Sequence, residues 1–277
     1  MASTRDILRQ TRTVRSIEQI TRAMKTVAAI RLRRAEQRLE QARPFLRELV
    51  GLVAQVAAAS QDHPFLQARP GGRSALVVIT SDRGLCGGYN MSVVRQALAV
   101  GPPQEVEVVA LGRKGMRQLA RHGYLIQDRL VPLGADPNAR ELNAMAARVG
   151  ERYLAGEVNR VMFVHAEFRG GASYRVRTRQ VVPVPGDARG EAPDIIFEPA
   201  PPRLLPRLMA RYLSAELLLA ALESSASEHA ARVAAMAAAT DNAEDLIHDL
   251  TRLYNKARQA GITKELTEIV TAAEVTA

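Results

Sequence analysis

Apolar residues recur at helical spacing over both ends of this 277-residue chain and at strand spacing only in its middle. Between roughly residues 3 and 58 they fall at Ile7, Val14, Ile17, Ile20, Met24 and Ala28. They continue at Leu32, Ala35, Leu39, Ala42, Leu46, Leu49, Val53 and Val56. From Ala28 onward the steps alternate between four and three, the seam of a coiled coil. No Gly precedes Gly51 and the only Pro is Pro44. The spacing therefore predicts one long helix from Ser3 or Thr4, with Asp6 in the first turn, where the helix dipole favours an anion. Such a helix reaches roughly 80 Å at 1.5 Å per residue, longer than a compact domain, so part of it must pack on something elongated. Pro44 should kink it or start a new segment.

Over roughly 73–185 the period changes. Ala75–Thr80, Glu105–Leu111 and Asn159–His165 are short runs rich in β-branched residues and read as buried strands. Tyr174–Val182 alternates and reads as an edge strand. Helical stretches follow at 89–100 and 113–122. A third opens at Asp136-Pro137, an N-cap followed by proline, and runs to about 155. Strands alternating with helices predict an α/β layer with a partly parallel sheet. Seven prolines between Pro183 and Pro206 mark a linker.

From Pro206, which suits a helix start, helical periodicity returns. One face carries Leu213, Leu217, Ala220, Ala230, Val233, Ala237 and Thr240. Ala243, Leu246, Ile247, Leu250, Leu253, Tyr254, Ala257, Ile262, Leu266, Ile269 and Val270 extend it. Two long amphipathic helices around a globular insert predict an antiparallel pair. The domains are then an N-terminal coiled-coil helix (1–60), an α/β domain (73–185), a Pro-rich linker (186–206) and a C-terminal coiled-coil helix (207–277). The N-terminal helix covers only one side of the C-terminal one, which leaves a smooth surface suited to a bearing.

Composition narrows the class. The chain is 47% apolar with 4% aromatics and no Trp, as in a helical core packed with Ala and Leu. Cys86 is the single cysteine, which excludes a disulfide framework and a multi-cysteine metal cage. No apolar run spans a bilayer and the start lacks a signal-peptide stretch, so a reducing, cytosol-like compartment is expected. Net charge is +9, and residues 1–60 carry 12 basic and 5 acidic residues. A basic face of that kind suits nucleic acid, a membrane surface or an acidic protein surface. No aromatic residue lies among the helix arginines before Phe45, so base stacking has no support.

Candidate chemistry is sparse. The turn Ser81–Asn90, with Asp82, Arg83, Gly84, Cys86, Gly87 and Gly88, lacks the Gly-Lys-Ser/Thr ending of a phosphate loop. It also lacks the G-x-G-x-x-G spacing of a dinucleotide turn. It reads as a tight structural strand-to-helix turn. Cys86 has no partnered base among His63, His122, His165, His229 and His248, so a buried inert thiol is expected. Asn90-Met91-Ser92 matches a glycosylation acceptor, which carries no meaning without secretion. A coiled-coil nucleic-acid adaptor and a small hydrolase using Cys86 stand as the alternatives from other classes.

Three blocks, in order, resemble the gamma subunit of F-type ATP synthase. They are SIEQITRAMKTVAAIRLRR (16–34), TSDRGLCGGYN (80–90) and SEHAARVAAMAAATDNAEDLIHDLTRLYNKARQAGITKELTEIV (227–270). The resemblance implies a long antiparallel coiled coil of the terminal helices with an inserted α/β, Rossmann-like domain. It implies a central rotor shaft inside a ring of three alpha and three beta subunits, standing with the epsilon subunit on the membrane-embedded c-ring. Proton flow through the c-ring would turn the shaft, and ATP would be made in the beta subunits. The chain itself would be non-catalytic, without cofactor or metal, and would bind no nucleic acid. It would be peripheral on the cytoplasmic side of the cell membrane. By motif match, Met24 and Lys25 face the beta subunit's acidic lever and Arg232 matches a similar contact. Arg258, Gln259, Thr263 and Glu265 match the stretch gripped by a beta-subunit catch loop. A single cysteine cannot form the regulatory pair of the chloroplast kind.

Overall fold

The computed structural model describes residues 4–60, 63–134, 136–184 and 197–276, with side chains described to Val270. Its elements in chain order are α1 (Thr4–Ala58), β1 (Arg73–Ile79), α2 (Tyr89–Leu98), β2 (Val106–Leu111), α3 (Arg113–Arg121), β3 (Leu125–Leu130), α4 (Ala139–Leu154), β4 (Val158–Gly170), β5 (Ser173–Val182) and α5 (Pro201–Thr276). The chain divides into two compact units. One comprises Met1–Val27 with Val233–Ala277, and the other Ala28–Arg232.

In the larger unit five strands form one sheet in the order β3-β2-β1-β4-β5. The pairs β1–β2, β1–β4 and β2–β3 are parallel, and β4–β5 is antiparallel. Side chains alternate across a strand, so each strand feeds two cores. Leu76, Val78, Val108, Ala110 and Val164 pack with Tyr89, Val93 and Ala97 of α2 and Leu119 of α3. Ala75, Val77, Ile79, Val109 and Phe163 pack on the other face with Leu142, Met145 and Val149 of α4. That second face also receives both terminal helices, through Leu46, Leu49, Val53 and Val56 of α1 and Leu205, Met209, Leu213 and Leu217 of α5. Farther along the pair, Ala35 and Leu39 meet Leu222, Ala226 and Ala230. Early α1 residues meet late α5 residues, so the pair is antiparallel. A sheet covered by helices on both faces explains why Ala75–Ile79 of β1 and Val108–Leu111 of β2 are continuous apolar runs rather than alternating ones.

The seam follows the heptad. Ala28, Ala35, Leu39, Leu46, Leu49, Val53 and Val56 are buried and Leu32 and Ala42 are half-buried. In the smaller unit Ile7, Val14 and Met24 face inward as expected, but Ile17 and Ile20 do not. The inward positions of α1 are Ile7, Thr11, Val14, Glu18, Thr21 and Met24, while Ile17 and Ile20 are 47% and 58% exposed. Continuing the same heptad toward the N-terminus passes through polar residues, which a search for apolar positions skips. Threonine is tolerated there because its hydroxyl bonds within the helix: Thr11 Oγ1 donates to the Ile7 carbonyl (2.8 Å) and Thr21 Oγ1 to that of Glu18 (3.0 Å). Thr240 Oγ1 of α5 donates to Thr21 Oγ1 (2.9 Å). Arg22 pairs with both Glu18 (2.7 Å) and Glu244 (2.6 Å), tying α1 to α5.

Four sequence expectations need correction. α1 continues through Pro44 as one helix rather than starting a new segment there; Pro44 faces solvent, where the Glu40 carbonyl that loses its donor can take water. α5 starts at Pro201, not at Pro206, which lies inside it. The first-turn N–H groups of a helix have no intrahelical acceptor, so Pro201 and Pro202 cost nothing there, and Arg203 N closes the turn onto the Ala200 carbonyl (2.9 Å). The rest of the proposed linker lies largely outside the described residues. α4 is capped by Asn138, whose side chain accepts from Arg140 N (2.9 Å), while Asp136 instead pairs with Arg38. Finally β3 is a strand without a clear strand signal, because an edge strand reading Leu-Ile-Gln-Asp-Arg-Leu is half polar and only partly buried.

Candidate functional site

The turn between β1 and α2 is built as a knot. Thr80 Oγ1 accepts from Gly115 N (2.8 Å) and donates to the Leu111 carbonyl (3.2 Å), fastening the end of β1 to the start of α3. Gly112, at φ +89°, allows this approach; a Cβ there would overlap the Thr80 carbonyl oxygen. Asp82 takes two backbone donors from separate segments: Oδ1 accepts from Arg113 N (3.1 Å) at the α3 N-terminus and Oδ2 from Gly134 N (2.9 Å). A carboxylate suits a helix N-terminus because the dipole and the free N–H groups both attract it. Ser81 N donates to Asn90 Oδ1 (3.0 Å), and Asn90 Nδ2 reaches Cys86 Sγ (3.2 Å). Cys86 is buried, and burial pushes its thiol up from the ordinary value, which disfavours the reactive thiolate. Gly87 takes φ +56° and Leu85 φ +61°, so the turn spends its conformational freedom on closing.

In sheets of this winding, ligands bind in the crevice beyond the carboxyl ends of the strands where the chain order reverses. Here β1 lies between β2 and β4, and the chain's own α5 occupies the crevice. Ser227 Oγ donates to the Ala166 carbonyl of β4 (3.1 Å), and the Tyr89 hydroxyl donates to the Ser224 carbonyl (3.2 Å). Arg232 Nη2 donates to the Gly84 carbonyl of the turn (3.3 Å) and to Glu228 Oε1 (2.7 Å). Arg232 Nη1 lies 3.1 Å from His229 Nδ1. An arginine can only donate, so Nδ1 accepts and the neutral ring carries its proton on Nε2.

The electrostatics follow from burial. Burial pushes the Glu228 carboxyl up, and the Arg232 charge opposes that push. His229 is 2% exposed, and its pKa is lowered to about 4, first by burial and then by the Arg232 and Arg31 charges. Its Nε2 has no hydrogen-bond partner among the described residues. The imidazole is therefore held neutral, as a strut under Arg232.

The sequence-predicted residues separate into two groups. Asp82, Arg83, Gly84, Cys86, Gly87 and Gly88 share one turn, and Arg232 is buried against it. Its guanidinium donates to the Gly84 carbonyl and to Glu228 within the chain. The smaller unit carries the rest. Met24 is half-buried and Lys25 exposed on α1, whereas Arg258, Gln259, Thr263 and Glu265 are exposed on α5. Every described side chain from Arg258 to Val270 is exposed, and Thr263 Oγ1 donates back to the Gln259 carbonyl (3.0 Å). Sequence reading missed Glu228, His229 and Ser227 as clamp residues. The i, i+4 pair Glu228–Arg232 was the available signal. Among the described residues no three His, Cys, Asp or Glu side chains group as a metal site, and no helix is long and apolar enough to cross a membrane.

The chain resembles known proteins over nearly its whole length. A family model described as ATP synthase matches residues 3–275. The ATP synthase gamma chain of Heliobacterium modesticaldum is 40% identical over 283 residues, covering 98% of each chain. That of Desulforamulus reducens is 40% identical over 276 residues with the same coverage. Among solved structures, a chain of the central stalk and c-ring of Tetrahymena thermophila mitochondrial ATP synthase superposes with a TM-score of 0.62 at 26% identity. That match covers 79% of this chain and 99% of that one. A chain of the Euglena gracilis mitochondrial ATP synthase OSCP/F1/c-ring assembly shares the fold at a TM-score of 0.69 and 19% identity, covering 99% and 94%.

Proposed function

The chain belongs to the family of ATP synthase gamma chains, and from that premise we propose that it works without any catalytic site of its own. It is the central shaft of a rotary ATP synthase, with alpha, beta and epsilon subunits and the c-ring as partners. The chemistry of ATP then lies in the beta subunits, and proton flow through the c-ring drives the shaft. Occupation of the sheet's ligand crevice by α5 supports this reading, because the place where a fold of this kind holds a nucleotide is already filled. The chain sits peripherally at the cytoplasmic face of the cell membrane, held there through its partners.

The observation that carries the proposal is the bare end of α5. Ile262, Leu266, Ile269 and Val270 are about half exposed or more, the highest at 65% for Ile269, and nothing among the described residues covers them. Exposed apolar surface of this extent marks an interaction site. A sleeve formed by partner subunits would cover it without fixed polar contacts, as a bearing requires. Arg258, Gln259, Thr263 and Glu265 are then the polar points at which the sleeve grips, and Met24 and Lys25 lie where an acidic lever would press. Each such exposed contact contributes about 1 kcal/mol or less, so no single one becomes a stop. Arg232 acts differently, by seating α5 on the turn.

Mixing the purified chain with alpha and beta subunits from the same source tests this. A stable complex should co-elute and hydrolyse ATP, with the isolated chain inactive. A chain that stays alone, or hydrolyses ATP by itself, would overturn the proposal.

A further inference from the structure

We propose that one face of α5 is a torsional lock, keyed by directional polar contacts so that α5 cannot turn about its own axis against the α/β domain. This rests on the rotor reading above and names how the load crosses from the sheet to the shaft. Glu216, Glu223 and Ser227 stand seven and four residues apart, on one helix face. Each is buried and each meets the β4–β5 hairpin. The Glu216 carboxylate accepts two bonds from Arg179 of β5 (2.8 and 3.0 Å). Glu223 Oε2 lies 3.1 Å from His165 Nε2 of β4, and Ser227 Oγ donates to the Ala166 carbonyl. From the other side of the sheet, the Tyr89 hydroxyl of α2 donates to the Ser224 carbonyl. Arg43 brings α1 into the same knot, 3.7 Å from Glu223 Oε1, with Nη2 donating to the Phe168 carbonyl (3.5 Å).

Buried charges are a poor way to gain stability, since apolar residues of similar size usually do as well. The neighbouring apolar seam already supplies the burial. What apolar contacts lack is direction: Leu against Ala tolerates rotation and sliding, whereas a bidentate carboxylate–guanidinium pair does not. Turning α5 by one residue, about 100°, would move Glu216, Glu223 and Ser227 off their partners together. It would leave two carboxylates buried without partners. A shaft that carries torque needs this kind of contact where it joins the body that drives it.

The test uses the assembled complex, with the ring of alpha and beta subunits fixed to a surface and a bead on the α/β domain. The bead's thermal angular variance reports torsional compliance. Two variants are compared with wild type: Glu223→Gln, and Tyr89→Phe combined with Ser227→Ala, which deletes two hydroxyls and no volume of consequence. With contacts acting independently, removing two of the four α5 keys should raise the angular variance about twofold, while the two lost hydrogen bonds lower the melting temperature by a few degrees at most. If Glu223→Gln fails to assemble, the hydroxyl-deletion variant decides alone. Unchanged variance in a variant that assembles overturns the lock. A wild-type chain that gives no rotating complex overturns the rotor reading instead.

Discussion

His229 makes stability depend on pH in a way that can be isolated. In the folded chain its pKa is lowered to about 4, because the ring is buried and faces Arg232 and Arg31. In the unfolded chain it returns to the ordinary value near 6.5. Between these values the unfolded state binds the proton and the folded state does not. The His229 contribution is therefore intact above about pH 6.5 and lost progressively as pH falls toward 4. Integrating the proton-binding difference gives about 2 kcal/mol less stability at pH 5 than at pH 7.5. That corresponds to a melting temperature lower by roughly 4–8 °C for a unit of this size. Other groups titrate nearby. The folded carboxyls of Glu216 and Glu228 are pushed up by burial and change stability with the opposite sign, and His63 is lowered by burial and adds to the loss. The discriminating quantity is thus the difference between wild type and His229→Gln, whose amide oxygen can still accept from Arg232. Urea or thermal denaturation of both proteins from pH 4.5 to 8 should show the variant with the shallower loss on the acid side. Parallel pH profiles would refute the assignment of a buried neutral imidazole.

Three further outcomes are expected. Gly112→Ala places a side chain at a positive φ and into the Thr80 carbonyl, so it should destabilise by about 3 kcal/mol or more in chemical denaturation; a loss under 1 kcal/mol would contradict the close approach. Deleting Gln259–Ala277 should leave the melting of the unit Ala28–Arg232 unchanged, because the described side chains of that tail are exposed. The same deletion should weaken co-elution with the alpha and beta subunits, and unaltered assembly would remove the tail from the bearing. Cys86 should resist a thiol reagent such as a maleimide at neutral pH until urea unfolds the chain, given its burial and raised thiol; rapid native labelling, followed by mass spectrometry, would show the turn to be open.

The terminal helices and the three central strands were readable because their signals are strong and redundant. Leu39, Leu46 and Val53 repeat every seven residues, and Val77 to Ile79 lies in a continuous apolar strand. What escaped was polar and inward. Thr11 and Thr21 continue the seam, yet a hydrophobicity pattern passes over them and takes in Ile17 and Ile20, which face out. β3 was lost for a related reason: an edge strand needs only one partner and half a core. The clamp was half legible. The turn stood out by its glycines, but its partner, Ser224 to Arg232, comes from about 140 residues away, and nothing local in Ser-Glu-His-Ala-Ala-Arg says which carbonyl it will meet. Exposed positions such as Arg258 and Gln259 have no intramolecular signal at all; only a partner gives them meaning.

The antiparallel pairing of α1 with α5 also sets a timetable. Val56 and Leu205, which share one core, are separated by about 150 residues. At roughly 5–20 residues per second of synthesis, α1 waits about 7–30 s beyond the ribosome before its partner helix begins to emerge. For that interval its seam of Leu39, Leu46, Leu49 and Val53 is bare, in a segment already long enough to pair with another copy of itself. The newborn chain is thus most exposed to misassembly at its first helix, and a holding chaperone that protects it would need to release it only when the last third of the chain has been made.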